Sequence, residues 1–108
     1  MSAIEITDLR IALFLTLWHE NGREHFERYY TNLDYDSPAY AKTAKDRSKY
    51  IALDDGTSGA FLVEKLTGDV WTIKGYGRKN RRVGTLDELI AHYQDANEHN
   101  RQLGLRYA

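Results

Sequence analysis

The sequence has no cysteine, a single proline, a single methionine and no long apolar run. Without cysteine there is no disulfide, no thiolate nucleophile and no Cys-ligated zinc. The most apolar stretch, Ile11 to Trp18, falls far short of the ~20 residues that a membrane span requires, and it has neither a basic n-region before it nor a small-residue cleavage site after it. The expected setting is the cytoplasm, with no membrane partner. An excess of charge of either sign is also missing, since 15 basic residues stand against 16 acidic ones. The chain as a whole is therefore neither a general polyanion binder nor an acidic mimic of nucleic acid, and any electrostatic function must be local.

What is present is one domain's worth of chain. The 108 residues are 42% hydrophobic and 29% charged, a globular balance that argues against disorder. At this length folding buries roughly two thirds of the unfolded surface. Eight Tyr, two Trp and three Phe supply large side chains to a small core.

The clearest local signal runs from Gly59 to Gly77, GAFLVEKLTGDVWTIKGYG, and reads as a β-hairpin. A three-residue loop, Leu66-Thr67-Gly68, would place its glycine where a left-handed backbone is needed. That register sets Lys65 opposite Asp69, Val63 opposite Trp71 and Phe61 opposite Ile73. Four large apolar side chains would then share the inward face, and the basic residues at the far end would be thrown outward.

Before the hairpin, either Ser2 to Glu5 as a capping box or Thr7-Asp8 can start a helix. From Leu9 to Leu33 a helical stripe passes through Ile11, Leu15, Trp18, Gly22, Phe26, Tyr29 and Leu33. One helix with Gly22 facing inward is the preferred reading, and two helices broken at Asn21-Gly22 the competitor. NLDYDSP, residues 32 to 38, ends it. Ala39 to Ser48 suggests a short edge strand and turn, and Lys49 to Leu53 a strand leading into the Asp54-Asp55-Gly56 loop. After the hairpin, Thr85-Leu-Asp-Glu88 is a capping box opening a helix whose Leu86, Leu89, Ile90 and Tyr93 form an apolar face, with Gly104 as a stop signal. The expected fold is α+β: a long N-terminal helix, a three-stranded antiparallel meander with a fourth short edge strand as an option, and a C-terminal helix packed on the sheet.

For chemistry, the sharpest feature is Lys74 to Arg82, KGYGRKNRR, with five basic residues and no acid. Arginine forks suit phosphate oxygens and a tyrosine ring can stack on an unpaired base, so Lys74, Tyr76, Arg78, Lys79, Arg81 and Arg82 are the candidate nucleic-acid contacts. The plainer alternative is a solvated basic loop balancing nearby acids. Glu88, His92, Asp95 and His99 lie on adjoining parts of one helix face at metal-ligand spacing, without an HExxH pattern; an exposed polar stripe is the competing account. His19 and His25 do not face each other. No G-x-S-x-G elbow, P-loop or dinucleotide fingerprint is present; Gly75-x-Gly77 lacks a third glycine, and Asp54-Asp55 reads as a turn before it reads as a paired carboxylate site. No cofactor is expected, and the protein is expected not to be an enzyme. Tyr29, Tyr30, Tyr35 and Tyr40 cluster near the end of the first helix as a protein-interaction surface or, more simply, with Tyr29 in the core and the others covering sheet edges.

Two resemblances attach to these segments. Tyr76 to Arg82 is similar to the arginine-rich RNA-binding peptide of a lentiviral transactivator, with Asn80 where that peptide has lysine. Phe61-Leu-Val-Glu-Lys65, Thr67-Gly-Asp-Val70, Ile73-Lys-Gly-Tyr-Gly77 and, after a basic insert, Gly84-Thr-Leu-Asp87 resemble a group of small uncharacterised bacteriophage and prophage proteins. The match covers about a quarter of the chain. It implies a viral accessory role in the host cytoplasm, with no catalytic residue to carry over. The expected function is binding of nucleic acid or another polyanion by the basic loop, the alternative a module that binds and inhibits a host or defence protein.

Overall fold

The structure is a computed structural model, and it describes residues 3–74 and 78–103. Helix α1 (Leu9–Tyr29) and a 3-10 turn (Pro38–Tyr40) precede the strands β1 (Lys42–Asp46), β2 (Tyr50–Asp55), β3 (Ser58–Glu64), β4 (Asp69–Ile73) and β5 (Lys79–Thr85), and helix α2 (Leu86–Leu103) follows. The strands lie in the order β1-β2-β3-β4-β5, each pair antiparallel. The α+β meander is as expected, but it has five strands among the described residues where three were read. The optional edge strand exists as β1, and the supposed basic loop supplies β5.

Asp8 caps α1 by accepting from the Arg10 backbone N–H at 2.9 Å. The helix runs unbroken through Asn21-Gly22. Glycine there costs about 1 kcal/mol of helix propensity, and the compensation is close packing: a Cβ on Gly22 would lie 2.7 Å from the Tyr35 hydroxyl. That hydroxyl donates to the His19 carbonyl at 2.9 Å, and the Tyr35 ring stacks on the His19 ring at 4.1 Å between centroids. The chain after α1 is thereby folded back onto it. Arg23 binds Asp36 in the same returning segment, and His19 Nε2 lies 3.3 Å from Asp36 Oδ1.

Two parts of the expected stripe are corrected. The helix ends at Tyr29, not Leu33, because Tyr30 leaves helical geometry while its N–H still reaches the Phe26 carbonyl; Tyr29 and Leu33 are both exposed. Conversely Phe14, outside the stripe, is fully buried. Its ring centroid lies 5.9 Å from those of Trp18 and Phe61 and 5.5 Å from that of Tyr93. α1 touches both the sheet and α2, so its buried face is wider than a single stripe.

The hairpin register is also corrected. Phe61 pairs with Thr72, Leu62 with Trp71 and Val63 with Val70, one residue away from the expected pairing. Lys65 does not stand opposite Asp69: its N–H goes to the Lys49 carbonyl at 3.0 Å and its carbonyl accepts from Ile4 at 2.8 Å. The loop is therefore the four residues from Lys65 to Gly68, closed by a 2.8 Å bond from the Gly68 N–H to the Glu64 carbonyl, with Gly68 left-handed (φ 77°) as expected. Because side chains alternate, this single step moves Trp71 and Ile73 to the face opposite Phe61 and Val63. Val70 takes the buried place that Trp71 was expected to fill.

The core lies between the inner sheet face and both helices: Ile51, Leu53, Val63 and Val70 meet Ile11 and Phe14 of α1 and Leu86, Leu89 and Ile90 of α2. The capping box of α2 forms as read, with the Thr85 N–H donating to Glu88 Oε1 at 2.9 Å and the Glu88 N–H to Thr85 Oγ1 at 3.2 Å. The two helices are joined by buried Asn97, which donates to the Leu17 carbonyl and accepts from the Asn21 amide, each at 3.1 Å. Arg10 at the start of α1 binds Asp87 at the start of α2 through both carboxylate oxygens.

Phe14→Ala is expected to lower unfolding stability by about 3–5 kcal/mol, whereas Leu33→Ala stays within about 0.5 kcal/mol; urea titrations of the two variants check this. The Asp36 carboxyl is lowered from 3.8 to about 2, first by its hydrogen bonds to Arg23 and then by His19. A depressed native value means this stabilisation is complete above 3.8 and disappears as pH falls through about 2. Asp36→Asn should thus be less stable than the parent at neutral pH and should lose less stability across that acid window, as read by melting temperature against pH.

Candidate nucleic-acid interface

Part of the basic run lies in the edge strand β5 and part precedes it. Lys74 directly follows β4, its N–H donates to the Arg78 carbonyl at 2.7 Å, and β5 starts at Lys79. Tyr76, with Gly75 and Gly77, lies outside the described residues. β5 pairs on one side with β4 and holds one extra residue opposite it twice, as the register shifts between Val70 and Trp71 and again between Trp71 and Ile73. Bulges of this kind twist an edge strand and re-aim its side chains. Sequence patterning reads such a strand poorly, because an edge facing water carries charge without cost to the core.

The five cations are not equivalent. Arg82 is engaged with Asp69 at 2.9 Å and lies 4.0 Å from Glu88. Its hydrogen bond is the main reason the Asp69 carboxyl sits below the ordinary range, while Glu88 is lowered chiefly by the Thr85 backbone N–H that it caps. The plainer account of a cation balancing nearby acids therefore holds for Arg82. Lys79 sits over the Trp71 ring, its Nζ 4.3 Å from one ring centroid and 5.8 Å from that of Tyr50. An exposed cation–π contact of this type is worth about 0.5–1 kcal/mol, little enough to be exchanged for a better partner. Lys74, Arg78 and Arg81 are exposed. Among the described residues no carboxylate lies within ion-pair distance of Lys74, Arg78, Lys79 or Arg81.

The register correction gives this basic end a surface. Lys45, Ala52, Leu62, Trp71 and Arg82 stand in one row across all five strands, on the face away from the core that both helices cover. Tyr50 and Glu64 form the neighbouring row, and the Trp71 indole N–H donates to Glu64 Oε1 at 3.3 Å. Beside them a groove of about 500 Å³ is lined by Lys45, Arg47, Tyr50, Ala52, Leu62 and Ile73, among others. The expected basic loop thrown outward by an inward Trp71 is thus replaced by a helix-free sheet face on which Trp71 itself lies. Lys45, Arg47, Tyr50 and Trp71 went unrecognised in the sequence as parts of a site; the Lys45-x-Arg47 alternation before Tyr50 was the available signal.

Other candidates fall elsewhere. Glu88, His92, Asp95 and His99 are all exposed on α2, and no group of three metal-binding side chains converges among the described residues. Asp54 and Asp55 face opposite sides and pair with Lys45 at 3.7 Å and Lys42 at 3.2 Å respectively. In the tyrosine cluster, Tyr35 is buried and Tyr29 and Tyr30 are exposed, the reverse of the expected role for Tyr29. No helix among the described residues is long and apolar enough to cross a membrane. Comparison with known proteins finds no family model, no curated protein and no solved structure that matches this chain.

Arg82→Ala should measurably lower the melting temperature because it releases Asp69 from its partner, while Arg81→Ala should leave it unchanged; scanning calorimetry of the two variants separates the ion-paired arginine from the one with no ion pair among the described residues.

Proposed function

We propose that this is a small non-enzymatic accessory protein of bacteriophage type, acting in the host cytoplasm, whose basic β4–β5 end contacts nucleic acid or another polyanion. The observation that supports it is the set of cations that make no ion pair among the described residues, Lys74, Arg78, Lys79 and Arg81, gathered at one end of a sheet whose remaining charges are largely paired. A protein with balanced overall charge gains nothing in stability from such a cluster, and a row of phosphates would neutralise it. Tyr76, between the two halves of the cluster in sequence, belongs to the same proposed contact. The phage assignment is supported by the wording of the hairpin and of Gly84 to Asp87.

A second reading is favoured by a different observation. Tyr30 and Leu33 are exposed at the rim of a groove of about 720 Å³ that Trp18, Phe26 and Tyr40 also line. Aromatic side chains of this kind anchor protein partners, and an inhibitor of a host or defence protein would use them. Capture from host lysate after nuclease digestion separates the readings, since a protein partner survives it.

Binding of heparin and of labelled oligonucleotides should be readable by anisotropy at low salt. Engagement of all four cations gives a log–log salt slope between about 3 and about 4. Changing Lys74, Arg78, Lys79 and Arg81 together to Ala should abolish binding while the protein stays folded, its stability lowered by no more than the about 0.5–1 kcal/mol of the Lys79 cation–π contact. No binding at low salt, or binding indifferent to these changes, would remove the reading.

A further inference from the structure

The row across the sheet says more than that polyanions bind. We infer that the ligand of this face is a single-stranded nucleic acid, with a base seated in the groove beside Tyr50 and its phosphates held by Arg47 on one side and by the Lys79 end on the other. This rests on the polyanion reading above and specifies its ligand.

From Lys45 on β1 to Arg82 on β5 the row crosses four inter-strand gaps, or roughly 19 Å, and its middle is Ala52, Leu62 and Trp71. Ala52 and Leu62 are buried, so what the middle of the face presents is the half-buried rings of Trp71 and Tyr50, for which a surface meant only for phosphates has no use. A duplex buries its bases in its own stack and offers a sheet of this width mainly phosphates and sugars. A single strand offers the flat faces of its bases, which aromatic side chains bind irrespective of sequence, together with phosphates for the flanking cations. Tyr50 and Ile73 wall the groove, and Ala52 and Leu62, both nearly inaccessible, floor it. Its volume of about 500 Å³ is in the range of small-ligand clefts.

Charge agrees with this occupant. The acids on the face are already engaged: Asp54 with Lys45, Glu64 with the Trp71 indole and Asp69 with Arg82. Arg47 is exposed and lines the groove without an ion-pair partner among the described residues. Lys79 caps both rings at once, so a base arriving on Tyr50 or Trp71 displaces an ammonium that is then free to meet the phosphate of the same nucleotide. Base stacking outweighs the exposed cation–π contact it replaces.

The test compares a labelled oligothymidine, an oligouridine, a duplex of equal length and heparin on the full chain. The expected result is tighter binding of the single strands than of the duplex, with Tyr50→Ala weakening them about 10-fold and leaving heparin unaffected. Tyr50→Phe, which keeps the ring, should retain parent affinity, and the exposed Arg47→Ala should reduce the single-strand salt slope by about 0.7. The ratio of oligouridine to oligothymidine binding assigns RNA or DNA within the class. Equal or tighter duplex binding, or oligothymidine affinity untouched by both Tyr50→Ala and Arg47→Ala, overturns the inference while leaving the polyanion reading in place. Failure of heparin and all oligonucleotides to bind at low salt overturns both.

Discussion

The structure depends on two backbone hydrogen bonds made to the Lys65–Gly68 turn from outside the hairpin. Ile4 N–H reaches the Lys65 carbonyl and Leu86 N–H reaches the Gly68 carbonyl, each at 2.8 Å. They hold the turn between the segment before α1 and the first residue of α2. Register in a hairpin is a choice between alternatives that differ by one residue and exchange the two faces completely. Here the choice puts Val63 and Val70 beneath the helices, both fully buried, and leaves Trp71 beside Leu62 on the other side. The Val63–Val70 pair beneath the helices and the Leu62–Trp71 pair on the opposite face are two results of one alignment.

What could be read from the sequence was local chemistry. The reciprocal bonds of Thr85 and Glu88, the left-handed Gly68, the apolar face of Leu86, Leu89 and Ile90, and the passage of α1 through Gly22 each follow from residues within one or two turns of each other. What could not be read was set by distant partners. The four-residue turn is fixed by Ile4 and Leu86, some 60 and 20 residues away in sequence, whereas loop chemistry alone favoured three. β5 escaped notice because an outermost strand needs apolar residues on neither side, and KNRR carries none. Lys45 and Arg82 meet only through the pairing of all five strands, so no spacing in the sequence announces their row.

Polar groups between the layers narrow the ways in which the helices can sit. Asn97 reaches the Leu17 carbonyl, an acceptor that exposed helix geometry would leave to the ladder alone, and holds Asn21 with its other end. The Lys42 side chain, 5% exposed, finds Asp55, the Tyr35 hydroxyl and the Trp18 ring within reach. Apolar packing tolerates sliding, whereas these groups are satisfied in one arrangement and left unpaired in others, at a cost of about 1–3 kcal/mol for each orphaned group. The hydroxyl of Tyr35 explains in the same way why glycine occupies position 22: the helix gives up a little intrinsic stability so that the returning chain can lie directly on its backbone.

The twice-bulged outer strand has one more effect. A flat ribbon at the border of a sheet is a template on which another chain can lay its own ribbon, and meanders with such borders are prone to grow into fibres. In β5 the two surplus residues break the even spacing of amide and carbonyl groups along the open side, and the arginines add mutual repulsion between copies. At this border of the sheet, irregular spacing and like charge together disfavour the addition of a further strand.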